Sequence, residues 1–320
     1  MPVEPAATGD AGGLVTLSKL TIVPARTPVN PAKLELALPI KQELQPGLTL
    51  LGFETLPGPT VRAGEQVGAS LLWQAGATPP ATDWQMSLWA KAGEGEQVWP
   101  LSAPVGLAGA SYPTSQWRPG DILRGQVLAR IPPTLEPGLY KLRLQLESTN
   151  SPGEDPFILP IGDFQVEGWP RVFEPPHPQI ELGANFADQA TLVGLDAGTT
   201  QASPGDTLNV RLYWRAGAEF AESYTAFIHL IGPDGLLYGQ VDQVPGTGAF
   251  PTTGWLPDEY ITDEYAIPLA ENAPSGAYQI EIGMYNASTG QRLSVTPPDC
   301  QATACAQSDD KVLLPGLTVK

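Results

Sequence analysis

Positive charge is scarce in this chain: 17 Lys and Arg stand against 34 Asp and Glu, for a formal net charge of −17. That balance excludes nucleic acid as a partner, because affinity for phosphate backbones comes from clustered Lys and Arg. No apolar run approaches the roughly 18 residues that a membrane-spanning helix needs, so no membrane insertion by this chain is expected. The N-terminal stretch MPVEPAATGDAGG has neither a basic region nor an apolar core and does not read as a signal peptide. Cysteine and histidine are nearly missing, with two of each. Cys300 and Cys305 lie close together in DCQATAC, where a disulfide would close a short loop and contribute about 2 kcal/mol. A zinc pair is the other reading, but His177 and His229 are distant in sequence and two ligands are too few. We read the pair as a disulfide, which favours an extracytoplasmic or cell-surface setting. No catalytic or cofactor motif is present. His229, in FIHL, has no acid, serine or cysteine motif beside it, so the chain as it stands reads as noncatalytic.

What the chain does contain is a repeat. YPTSQWRPGD (Tyr112 to Asp121) returns 138 residues later as FPTTGWLPDE (Phe250 to Glu259), and EPGLYKLRLQL (Glu136 to Leu146) returns as PSGAYQIEIGM (Pro274 to Met284). Residues shared by both copies serve the fold first; residues found in one copy are better candidates for a specific task. Apolar residues alternate along the repeated segments. Tyr140, Leu142, Leu144 and Leu146 point one way while Lys141, Arg143 and Gln145 point the other, and Tyr278, Ile280, Ile282 and Met284 repeat the pattern. Leu208, Val210, Leu212 and Trp214 alternate likewise. With 35 Pro and 34 Gly as punctuation and no sustained period of 3.6, the chain is all-β. Each copy offers about seven strands, the number in an immunoglobulin-like sandwich.

The expected organisation is an N-terminal extension over 1–44, a first β-sandwich over 45–166, a Pro-rich linker over 167–187 and a second β-sandwich over 188–320. The architecture is two tandem immunoglobulin-like or carbohydrate-binding-module-like antiparallel sandwiches. Five prolines make the linker stiff, and it is expected to space the sandwiches apart. Residues 14–23 resemble the closing strand of each copy and are expected to be the last strand of a preceding domain. Tyr140 and Tyr278, each after a turn with Pro and Gly or Ser and Gly, are expected to form tyrosine corners.

Candidate site residues fall into three groups. Trp117 and Trp255 of aromatic-Pro-Thr-x-x-Trp could stack on sugar faces, or could plug each sandwich; their presence in both copies favours the plug. Trp89 and Trp99 belong to the first copy alone, opposite His229 and Gly239 in the second, and are the candidates for an exposed carbohydrate-binding strip. Asp258, Glu259, Asp263 and Glu264 cluster in the second copy, with Asp234 and Asp242 upstream, and are candidate calcium ligands or a solvated acidic turn. Asn286-Ala-Ser is a formal glycosylation sequon.

The second copy, through LVGLD, PGDTLNVRLYWRA, YTAFIHLIGPDG, GQVDQVPGTGAFPTTGWLPDEY and PSGAYQIEIGMYNASTGQRL, resembles the soluble β-sandwich module of dolichyl-phosphate-mannose-type glycosyltransferase-like membrane proteins of Chloroflexota and related bacteria. The first copy is similar more loosely, with Ser102 where the second has Asp242. The resemblance implies an extracytoplasmic accessory module with no catalytic residues of its own. Two functions follow as expectations: binding or positioning carbohydrate or a cell-surface protein, or serving as a structural spacer or self-assembling subunit of an extracellular array. A glycan-active enzyme using a carboxylate pair is the third reading.

Overall fold

The computed structural model describes residues 38–56, 58–93, 95–150, 156–296, 306–308 and 310–320. Residues 14–23, expected to be the last strand of a preceding domain, and Cys300 and Cys305, expected to form a disulfide, lie outside the described residues.

Among the described residues the chain is all-β, with two 3-10 turns at Thr114–Gln116 and Thr252–Gly254 and no α-helix. The first copy contains β1 (Leu38–Gln45), β2 (Leu48–Leu56), β3 (Thr60–Arg62), β4 (Gln66–Ala75), β5 (Trp84–Ala92), β6 (Val98–Pro100), β7 (Val105–Gly106), β8 (Ile122–Arg130), β9 (Gly138–Ser148) and β10 (Phe157–Glu167). The second contains β11 (Ile180–Phe186), β12 (Ala190–Ala197), β13 (Gln201–Ala202), β14 (Thr207–Ala216), β15 (Tyr224–Ile231), β16 (Leu237–Gln243), β17 (Tyr260–Pro268), β18 (Gly276–Asn286), β19 (Val295–Thr296), β20 (Ala306–Ser308) and β21 (Lys311–Val319).

The two copies share one topology. A sheet ordered β1-β2-β4-β8 faces one ordered β3-β10-β9-β5-β6, and β11-β12-β14-β17 faces β13-β21-β18-β15-β16 in the same sense. In each copy the second strand leaves its sheet and reappears on the facing one, where β3 pairs with β10, and β13 with β21, in parallel. Alternation sends one face of every long strand inward. Leu50, Trp73 and Val127 from one sheet meet Leu88, Leu142 and Leu144 from the other in the first core, and Leu192, Trp214 and Ile267 meet Ile228, Ile280 and Ile282 in the second. The tyrosine corners are present: Tyr140 Oη donates to the Glu136 carbonyl at 2.8 Å, and Tyr278 Oη to that of Pro274 at 2.9 Å.

The sandwiches begin earlier than expected. β1 starts at Leu38 and β11 at Ile180, so a strand lies within the expected extension and another within the expected linker. Both are equivalent members of their sheets, pairing Leu38 with Phe53 and Ile180 with Leu195. Each carries an irregularity at the same place, where Lys41 and Gly183 take positive φ of 47° and 75°. β1 is exposed along most of its length, which weakens its apolar signal, whereas β11 alternates from Ile180 to Phe186 and falls within the expected linker because it follows a proline-rich run.

Candidate functional site

The aromatic-Pro-Thr-x-x-Trp motif is a fold element in both copies. Its Thr begins the 3-10 turn and hydrogen-bonds in both directions. Thr114 Oγ1 accepts the Trp84 N–H at 2.9 Å and donates to the Thr82 carbonyl at 2.7 Å; Thr252 Oγ1 accepts from Tyr224 N–H and donates to the Glu222 carbonyl. The Trp folds back so that its indole N–H reaches the carbonyl of the motif's first aromatic, Trp117 to Tyr112 at 3.1 Å and Trp255 to Phe250 at 3.3 Å. Trp117 is 4% exposed and Trp255 fully buried. Neither presents a face to a ligand, which removes both from the carbohydrate-binding candidates.

Trp89 and Trp99 do not form one strip. On β6, Trp99 lies opposite Ala90, a core position, and its ring meets the Tyr140 ring edge-on at 5.5 Å. It closes the first core from the side. In the second copy Tyr238 does the same against Tyr278, at 6.0 Å. Trp89 is on the outer face, half-buried, with its indole N–H held by Ser87 Oγ at 2.9 Å. Across the strands it faces Arg143 on β9 and Pro100 on β6, and the neighbouring rows place Lys91 opposite Lys141 and Ser87 opposite Gln145. At the equivalent place of the second copy, His229 sits between Asp242 (3.4 Å) and Glu281 (3.8 Å), and Lys311 Nζ binds Glu281 at 2.6 Å.

The four acidic candidates diverge. Asp258 pairs with Arg215, Glu264 with Arg211, and Glu259 with Arg171 at 2.7 Å. Asp263 is fully buried and accepts from Tyr265 Oη at 2.5 Å and from Gly246 N–H at 2.9 Å; burial pushes its carboxyl up to about 6. No group of three or more His, Cys, Asp or Glu converges on a metal position among the described residues. The acidic cluster is therefore a set of separate ion pairs and one buried loop anchor, which corrects the calcium expectation. Asn286 is also structural: it is buried, donates to Glu222, and accepts from Ser288 N–H and Oγ.

Sequence reasoning missed the junction between the copies. The linker expected over 167–187 was to space the sandwiches apart; instead its residues 168–179 bind them together. Trp169 stacks on Phe250 at 4.3 Å, and Tyr260 N–H donates to the Val172 carbonyl, so the segment lies along the edge of β17. Arg171 spans both copies, donating to the Pro133 carbonyl of the first and to the Gly254 carbonyl and Glu259 of the second. Beside it Thr253 Oγ1 donates to the Gly64 carbonyl at 3.0 Å. Backbones meet here so closely that a Cβ on Gly254 would lie 2.4 Å from the Ala63 carbonyl oxygen. The repeat explains how Arg171 fits. In the first copy Asp121 accepts from the Arg118 N–H and from Tyr112 Oη; in the second Glu259 keeps the bond to Leu256 N–H, but Phe250 has no hydroxyl and Arg171 supplies the second donor. Burial still raises the Glu259 carboxyl above the usual range.

Each sandwich carries a surface cleft among its described residues. One, about 460 Å³, lies between β2 and β10 of the first sandwich and is lined by Leu56, Pro59, Val67, Leu142 and Phe164. The other, about 570 Å³, lies on the second sandwich and is lined by Asp196, Asn209, Arg211, Thr247, Glu264 and Ala266.

No protein-family model matches this chain, and no curated protein matches it. Among solved structures, that of red sea bream transglutaminase is similar over 86% of this chain and 31% of its own, at 10% identity and a TM-score of 0.21. The chain thus spans less than a third of that protein's length.

Proposed function

We propose that this chain is a noncatalytic, extracytoplasmic accessory module that positions carbohydrate on the outer face of its first sandwich, of the kind attached to dolichyl-phosphate-mannose-type glycosyltransferase-like membrane proteins. The observation that supports this reading is Trp89. It is the one member of the four-tryptophan set on an outer sheet face, its ring is oriented by Ser87, and Arg143 and Gln145 stand on the adjacent strand as hydrogen-bonding groups. An aromatic ring fixed beside such groups offers a sugar an apolar face and directed polar contacts at small entropic cost. A glycan array probed with the full chain tests it. Trp89→Ala should weaken binding about tenfold or more, the effect of losing roughly 1.5 kcal/mol of aromatic contact, while leaving stability nearly unchanged. Binding that survives Trp89→Ala would count against the proposal.

The junction supports a second reading, a structural spacer in an extracellular array. Arg171 and the Gly64–Gly254 approach are suited to fixing one sandwich against the other. Absence of glycan binding together with concentration-dependent association in sedimentation would favour this reading over the first.

A further inference from the structure

Asp196, Arg211 and Glu264 occupy one row across β12, β14 and β17. Arg211 Nε and Nη2 both donate to Glu264 Oε1, at 3.0 and 2.7 Å, and its Nη1 lies 3.9 Å from Asp196 Oδ2. Asp196 is itself fixed by the Gln179 N–H and by Tyr213 Oη, both at 2.7 Å, and these bonds hold its carboxyl below the usual range. The row therefore lies on the sheet with its geometry set in advance. Gln179 stands at the β12 side of the cleft and Thr247 at the β17 side. Thr247 has φ of 58°, costly for a β-branched residue, and its loop is held by the Gly246 N–H on the buried Asp263 carboxylate. Asn209 lies exposed one row along, and neither its carboxamide nor Glu264 Oε2 has a hydrogen-bond partner among the described residues.

We propose that this cleft is a second ligand site, one that binds a neutral saccharide unit through Asn209, Arg211 and the Asp196 and Glu264 carboxylates. Its volume falls within the range of about 300–1,000 Å³ that small-molecule sites occupy. Two carboxylates against one guanidinium leave excess negative charge, which disfavours phosphorylated or sulfated ligands. Paired acceptors and donors match hydroxyl groups, each of which both donates and accepts, and bonds to ionised groups are the stronger kind. Ala266, exposed beside Asn209 on the same face, leaves a small apolar surface against which a pyranose ring can rest, while Val210 and Ala197 pack into the core beneath. The site does not depend on Trp89.

Amide NMR titration of the full chain with the methyl glycosides of glucose, galactose, mannose and N-acetylglucosamine tests the proposal. At least one should shift the amides around Asp196, Arg211 and Glu264. Arg211→Met should weaken that titration about tenfold, as expected for loss of a charged hydrogen bond. Asn209→Ala, which leaves the ion pair intact and is exposed, should weaken it severalfold, while Trp89→Ala should leave it unchanged. No shift in these strands with any glycoside overturns the proposal, as does an unchanged titration in either cleft variant. A lysine-rich peptide shifting the same amides when no glycoside does would overturn it in favour of a cationic ligand.

Discussion

Asp263 occupies a position where a carboxylate is costly. It points inward from β17 among Ile261, Tyr265 and Ile267, and the donors from Gly246 and Tyr265 offset only part of the desolvation, so the carboxyl is pushed up to about 6 from an ordinary 3.8. Because the folded value lies above the unfolded one, the native state holds the extra proton between them. Stability from this residue is therefore greatest below the unfolded value and falls as pH rises through about 4 to 6, by about 3 kcal/mol. Asp196 acts in the opposite direction, with its carboxyl held below the usual range, so the comparison of interest is between wild type and Asp263→Asn. Asparagine keeps an acceptor for the Gly246 N–H and donates to Tyr265. Urea midpoints across this pH window should decline less with rising pH in the variant; parallel profiles would show that Asp263 does not titrate there.

At the scale of elements, the repeated 3-10 turn ties the strand that starts just beyond it in space to the loop before that strand. Replacing Thr114 or Thr252 by Ala leaves a backbone N–H of β5 or β15 without its acceptor, and each should cost about 2 kcal/mol in chemical denaturation. Similar costs are expected in the two copies, since the bonds are the same; a neutral Thr252→Ala would contradict the assignment. How much of this was legible follows from which physical signal each element carries. β9, β14 and β18 alternate cleanly because one face packs and the other is solvated, and Tyr140 and Tyr278 announce their corners through the turns before them. β1 was hidden by its exposure, and β11, although Leu182, Ala184 and Phe186 alternate into the core, was hidden by the prolines just before it. Trp99 was misread because β6 is three residues long, too short for a period to tell its faces apart. The second cleft could not be read at all, since Asp196, Arg211 and Glu264 meet only through strand register.

For the whole molecule, the linker is where composition misled. Prolines predicted extended backbone, and the segment has no regular strand of its own over 168–179, but composition cannot say what an extended segment touches. Here it carries Trp169 and Arg171 into the groove beside Phe250 and Glu259. Residues Leu36–Lys320 accordingly cluster as one compact unit. The junction is also directional. Where the second copy has Gly254 the first has Gln116, and where the second has Phe250 the first has Tyr112, whose hydroxyl already satisfies Asp121. The first sandwich therefore cannot accept a neighbour through the same contact, and any self-association must use a different surface.

The two sandwiches are fixed relative to each other by Arg171 and by the approach of Gly64 to Gly254. Residual dipolar couplings measured separately for the two copies test it most directly. In the wild type, both sets should fit a single alignment tensor. Gly254→Ala, which drives a Cβ to 2.4 Å from the Ala63 carbonyl oxygen, should split them into two. Two independent tensors in the wild-type chain would contradict the account.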